Sequence, residues 1–253
     1  MLQELLQLNI FAFFLVFARI GSAIALMPGF ASGYVSAKIR LAIALTIGFV
    51  LTPVLAPQLP VPPASYVGLV LLIVGEVIIG GYIGFLARVL IGALQTAGTL
   101  IAYSSSMANA LINDPISDQQ SSTVSGFLMT IGLVLIFVAD FHHLMLQAVV
   151  DSYTLFRPGA GFPAGDFTYY LARQIAESFA LGLQMAAPFM IVALTYYIGL
   201  GILGRLMPTL QVFFFGMPFQ IAAQIWVLTV TVSGIMLVFL QHFQETYTRF
   251  LTP

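Results

Sequence analysis

The sequence predicts an all-α, polytopic membrane-type protein built from helical hairpins. Two observations carry this prediction. Ionised side chains are rare, with 8 Lys+Arg and 9 Asp+Glu in 253 residues against 60% hydrophobic residues. Long stretches hold none at all: Leu41 to Gly75, Ser178 to Gly204, and Leu206 to Gln244. Such runs exceed the roughly 20 apolar residues needed to cross a bilayer. A soluble chain of this length needs a charged surface that this composition cannot supply. Work done by such a chain rests on packing rather than on a soluble active site.

Six long apolar segments stand out: Ile10–Phe30, Ile39–Ala56, Tyr66–Ala87, Thr123–Ala139, Ser178–Leu203 and Val212–Leu240. A seventh, Val89–Ile112, contains Gly92, Gly98 and the run Tyr103-Ser104-Ser105-Ser106, and reads as a short helix entering a loop. Pro57, Pro60, Pro62 and Pro63 mark a stiff extended connection, because proline fixes φ and disfavours helix before it. The stretch Pro158 to Pro163 marks a second irregular region. Pro28, Pro188 and Pro218 are expected to interrupt their helices. The last two segments form a helical hairpin turning around Arg205–Leu210.

The first nine residues carry Glu4 and no Lys or Arg, which argues against a cleaved signal and for a retained first helix. With six spans, Lys38, Arg40, Arg88 and Arg205 fall on one side and Arg157, Arg173 and Arg249 on the other. That slight excess favours both termini outside. The net charge of −1 offers no basic face for nucleic acid, and the absence of cysteine removes disulfides and thiolate chemistry.

Three groups of residues are functional candidates. Arg19 and Glu76 lie inside apolar segments, where a charge must face protein or water. They are expected at a subunit interface or a lumen. In the same group, Gly80 and Gly84 form a small-xxx-small step that lets helices approach closely, either within the chain or between subunits. Ser104, Ser105, Ser106, Met107, Asn109, Leu111, Ile112, Asp114 and Pro115 form a polar, small-residue segment between apolar ones. Polar non-helical backbone cannot face lipid, so this segment either lines a pore as a plug or is an exterior loop. In the plug reading, Met107, Leu111 and Ile112 supply a dewetting constriction and Asp114-Pro115 anchors the loop base. Third, Arg205, Pro208, Thr209 and Gln211 lie at the hairpin turn, with Pro208 suited to start the next helix. That turn is either a plain connection or a partner-docking point.

Catalytic patterns are poor. His142 and His143 are adjacent, so on a helix they point about 100° apart and cannot co-ligate as i, i+4 pairs do. There is no HExxH motif, no phosphate-binding glycine loop, and no flanking pattern around Ser125-Gly126 for a serine protease. Neither enzyme activity nor a metal or cofactor is expected.

Four blocks, in order along the chain, resemble the FliR family of flagellar type III export-gate proteins, with its SctT/YscT-like injectisome relatives. The first is Phe17-Ala18-Arg19 through Met27-Pro28-Gly29-Phe30, then Val35-Ser36-Ala37-Lys38-Ile39-Arg40-Leu41-Ala42. The second is Gly75-Glu76 with Gly80, Gly84 and Phe85. The third is Asp114-Pro115. The fourth is Leu200-Gly201 through Arg205, Pro208, Val212-Phe213, Gly216 and Pro218. Thr209 and Gln211 depart from the resemblance, since the family more often has Gln and Asn there.

The resemblance implies an export-gate fold assembled in a right-handed helical hetero-oligomer. Residues 1–175 would form a FliP-like region carrying a plug loop near 104–122, and residues 176–253 a FliQ-like hairpin. It implies FliP, FliQ and FlhB-like partners, exported unfolded polypeptides as cargo, contact with membrane lipid, no nucleic acid, and a place in the bacterial inner membrane at the flagellar basal body. The alternative in a different class is a polytopic secondary transporter or channel subunit. That fold would show matching pseudo-repeats around a midplane site, and no matching halves are visible.

Overall fold

The computed structural model describes residues 2–107, 111–114, 119–160, 164–207 and 212–251. Its elements run α1 (Leu2–Leu26), α2 (Ala37–Leu55), a single 3-10 turn (Ala56–Gln58), α3 (Tyr66–Ser104), β1 (Leu111–Asp114), β2 (Gln119–Ser122), α4 (Thr123–Val138), α5 (Phe141–Leu155), α6 (Ala164–Leu206) and α7 (Val212–Leu251). The helical, membrane-type reading holds. Among the described residues, four helices are long and apolar enough to span a membrane, or five if the broken pair α4 and α5 counts as one. Each of the six apolar segments read from the sequence falls on a helix: α1, α2, α3, α4, α6 and α7.

The differences have physical causes. The third and seventh apolar segments are one 39-residue helix, α3. Gly92 and Gly98 do not break it, because helix glycine costs only about 1 kcal/mol against alanine, and at Gly98 close packing against Ser125 offsets that. Pro188 and Pro218 lie inside continuous helices, as does Pro53. In an apolar bundle the carbonyls freed by proline can be satisfied by neighbours. α5 was not foreseen, because His142, His143, Gln147 and Asp151 lower its hydropathy. Its buried Met145, Ala148, Val149, Ser152 and Tyr153 nonetheless follow helical spacing.

The chain divides into two compact units that interleave along the sequence. The first comprises residues 1–89, 136–174 and 243–253. Its core is organised by α1, whose buried Ala12, Leu15, Val16, Arg19, Ile20, Ala23 and Ile24 recur at three- and four-residue steps, with buried Met27 just past its end. α2 is N-capped by Ser36, which accepts from the Ile39 N–H, and buries the row Ala44, Gly48, Thr52 and Leu55. Arg40 ties the connection before α2, donating to Phe30 O (3.1 Å) and Val35 O (3.3 Å). The end of α7 docks here through Tyr247, whose hydroxyl donates to Ile83 O (3.2 Å).

The second unit comprises residues 90–135 and 175–242. It holds the β1–β2 hairpin, antiparallel with Leu111 opposite Ser122 and Asp114 opposite Gln119. Each of the four long spans leaves a wide apolar face uncovered, with only 22% to 33% of its most apolar window buried. Phe49, Tyr66, Phe214, Phe219 and Trp226 are among the exposed side chains. Such surface is stable only against lipid or another protein.

Candidate functional site

Two polar anchors interrupt these apolar helices, one in each unit. In the first unit Arg19 and Glu76 meet across α1 and α3. Nε donates to Glu76 Oε2 (2.7 Å) and Nη2 to Oε1 (2.9 Å), the planar fork matching both carboxylate oxygens. Nη1 donates to Ser152 Oγ (3.0 Å) and Nη2 to Phe156 O (2.9 Å). Four of the five guanidinium N–H donors are thereby used. The guanidinium carbon also lies 3.8 Å from the centroid of the Tyr153 ring. Arg19 is 0% and Glu76 1% exposed.

Both side chains are thus buried and satisfied inside the chain. Gly80 and Gly84 pack within the chain, one of the two alternatives they offered. A Cβ at Gly80 would overlap Arg19 O, and one at Gly84 would overlap Ala23 O and press on Leu26 Cβ at 3.0 Å. The glycines let α3 lie against the backbone of α1, which brings Glu76 within reach of Arg19. Gly92, further along the stripe, faces open space.

The second anchor holds the polar segment. α3 ends in a Schellman motif. Ser106 adopts the left-handed conformation at φ 59°. Met107 N–H donates to Ala102 O (2.9 Å), and Ser106 N–H reaches Tyr103 O (3.4 Å). Gln220 of α7 then caps the end: Nε2 donates to Ser104 O (2.7 Å) and to Tyr197 Oη (3.0 Å), while Oε1 accepts from Ser106 Oγ (3.3 Å). Ser106 Oγ also lies 3.3 Å from Tyr197 Oη.

The far end of the segment is fixed as well. Ser122 N-caps α4 by accepting from Ser125 N–H (3.1 Å), and its hydroxyl donates to Gly98 O (3.4 Å). Ser125 Oγ donates to Gln95 O (3.2 Å). A Cβ at Gly98 would lie 2.8 Å from Ser125 N, so the glycine is what lets α3 and α4 meet there. Among the described residues, the paired strands β1 and β2 thus lie between two anchored helix ends.

Residues 10–246 match the family described as Bacterial export proteins, family 1. The chain belongs to that family. It is 33% identical over 231 residues to the flagellar biosynthetic protein FliR of Caulobacter vibrioides, covering 91% of this chain and 92% of that one. It is 30% identical over 232 residues to the FliR protein of Bacillus subtilis, covering 90% and 88%. The Yop proteins translocation protein T of Yersinia pestis is 33% identical over 160 residues, covering 61% of this chain and 60% of its own. Family membership makes this an apolar, membrane-type component of bacterial protein export and flagellum biogenesis.

Within that family frame, the expected segment residues separate. Ser104, Ser105, Ser106 and Met107 form the anchored end of α3; Leu111, Ile112 and Asp114 belong to strand β1; Asn109 and Pro115 lie outside the described residues. Asp114 is extended as expected, but it ends β1 and sits at the tip of the hairpin rather than at its base. The base is made by Ser104–Ser106 and Ser122–Ser125. At the α6–α7 turn, Arg205 is exposed in the last turn of α6, where its charge complements the helix dipole. Pro208, Thr209 and Gln211 lie outside the described residues, and α7 begins at Val212, four residues after Pro208.

Sequence reasoning missed Gln220, Tyr197, Ser152 and Tyr153. A signal existed for the first: Gln220 and Gln224 stand four apart in an apolar helix, and both are 2% exposed.

Proposed function

We propose that this chain is a core structural subunit of a type III secretion export gate. It forms, with FliP- and FliQ-like subunits, the closed channel through which flagellar proteins are exported across the bacterial inner membrane at the flagellar basal body. The observation that carries this reading is similarity to flagellar biosynthetic proteins along nine-tenths of the chain. Flagellar cargo is favoured over effector cargo because the Yop translocation relative matches a shorter stretch.

In this reading residues 104–122 close the channel. A hairpin satisfies its own strand-pairing groups, so it can occupy a polar lumen without borrowing partners from the channel wall. Its two helix-end anchors keep it in place while the hairpin between them is displaced by cargo. Residues 1–175 are the FliP-like part and 176–253 the FliQ-like part. The wide exposed apolar faces take the neighbouring subunits and lipid, and the turn at Arg205, Pro208, Thr209 and Gln211 docks an FlhB-like protein. The role is structural rather than catalytic.

Co-expression tests the assignment. With FliP- and FliQ-like partners the chain should purify as one stoichiometric complex, and without them it should be degraded or aggregate. A monodisperse monomer in detergent that ignores the partners would contradict it. A photocrosslinker at Thr209 should trap a cytoplasmic partner, and labelling of Thr209 from the periplasmic side alone would overturn the docking assignment.

A further inference from the structure

We propose that Asp140, His142 and His143, at the break between α4 and α5, bind one Zn²⁺-class divalent ion. Adjacent histidines on a regular helix diverge, but these occupy the first turn of α5 behind a left-handed residue. Asp140 has φ 59° and ψ 17° and makes no side-chain cap to α5. Its carbonyl accepts the His143 N–H (3.0 Å), which folds the turn tightly. The result places one ligand atom from each of the three side chains within 4.8 Å of the others. The two imidazole centroids are 4.1 Å apart.

The spacings suit an ion better than a direct contact. His143 Nδ1 and Asp140 Oδ1 are 3.6 Å apart, too long for a hydrogen bond. Two ligands at about 2.1 Å from a tetrahedral ion are separated by about 3.4 Å. His142 Nδ1 is buried without a hydrogen-bond partner among the described residues, a state that a polar ring nitrogen ordinarily avoids. Phe137 stacks on His142 at 5.0 Å and 18°, restricting its ring. His143 and Asp140 are 71% and 76% exposed, so the site opens to water.

Two imidazoles and a carboxylate with an open fourth position form a zinc-type set that also takes Cu²⁺ and Ni²⁺. The positive end of the α5 dipole opposes a cation, and the Asp140 carboxylate offsets it.

The test uses the chain co-purified with its partner subunits under a non-histidine tag, stripped with chelator, and titrated with ZnCl₂ against a chromophoric competitor, with the complex carrying the double histidine variant as the blank. One equivalent should bind with a micromolar Kd. His142→Gln, His143→Gln and Asp140→Asn should each weaken it by on the order of tenfold, and the double histidine variant should abolish it. Circular dichroism checks that each variant folds. Cu²⁺ paramagnetic resonance on the unmodified chain should show two coordinated imidazole nitrogens, falling to one in His143→Gln. Absence of stoichiometric zinc, fewer than two nitrogens on copper, or unchanged binding in the double variant would overturn the site.

Discussion

Both units bury polar groups among apolar helices, but they do so with opposite chemistry. The first unit uses ions, Arg19 and Glu76, closed on each other and backed by Ser152, Phe156 O and Tyr153. The second uses neutral groups, the buried Gln220 with the exposed Tyr197 and the half-buried Ser104 and Ser106 at the end of α3. A buried charge that loses its partner is very costly, so the first anchor acts as an all-or-none clamp. Neutral hydrogen bonds exchange with water at a small net cost, so the second anchor can hold a segment that must move.

The largest expected effect comes from breaking the clamp by half. Arg19→Leu or Glu76→Leu alone should destabilise the chain by about 3–5 kcal/mol, because each strands a buried charge. The double leucine variant should recover most of that loss. Thermal unfolding of the purified complex measures all four members of the cycle. Additive losses would show that the residues do not act as a pair.

The helix contact beneath the clamp comes next. Gly80→Ala should cost about 1–3 kcal/mol by forcing α1 and α3 apart, whereas Gly92→Ala, facing open space, should be neutral or slightly stabilising. Equal losses at both positions would mean that glycine serves helix flexibility rather than close approach.

In the second unit, Gln220→Leu leaves Ser104 O and Ser106 Oγ short of partners, at about 1–3 kcal/mol. The expected readout is local: faster amide exchange over residues 104–122 with the first unit unchanged. A global loss of protection would contradict the idea of a separable anchor. The smallest effect belongs to Ser106→Gly. Glycine suits the left-handed position while the lost hydroxyl bonds offset the gain, so stability should change by less than about 1 kcal/mol.

What was legible in the sequence follows from the same contrast. Charges inside apolar runs are conspicuous, so Arg19 and Glu76 announced themselves. Their pairing did not, because they stand 57 residues apart, and the burial rule that flags a charge does not name its partner. Their remaining ligands lie on α5, whose mixed composition hides it from hydropathy although its buried stripe is periodic. The neutral anchor was harder to see, since serine, tyrosine and glutamine in a helix carry little cost to flag them. The polar segment between α3 and α4 was legible as a break in hydropathy. Its hairpin was not, because pairing depends on the two helix ends that bring residues 111 and 122 together.

In the proposed gate the hairpin closes the channel, and its anchors do not themselves block it. The direct measurement is ion conductance of cells or vesicles carrying the assembled complex in which residues 108–121 are replaced by a short Gly-Ser linker. Ser104–Met107, Ser122 and Gln220 are kept. The complex should assemble normally and leak ions and small solutes. An assembled complex with conductance at the unmodified level would show that this segment is an exterior loop and that the channel is closed elsewhere.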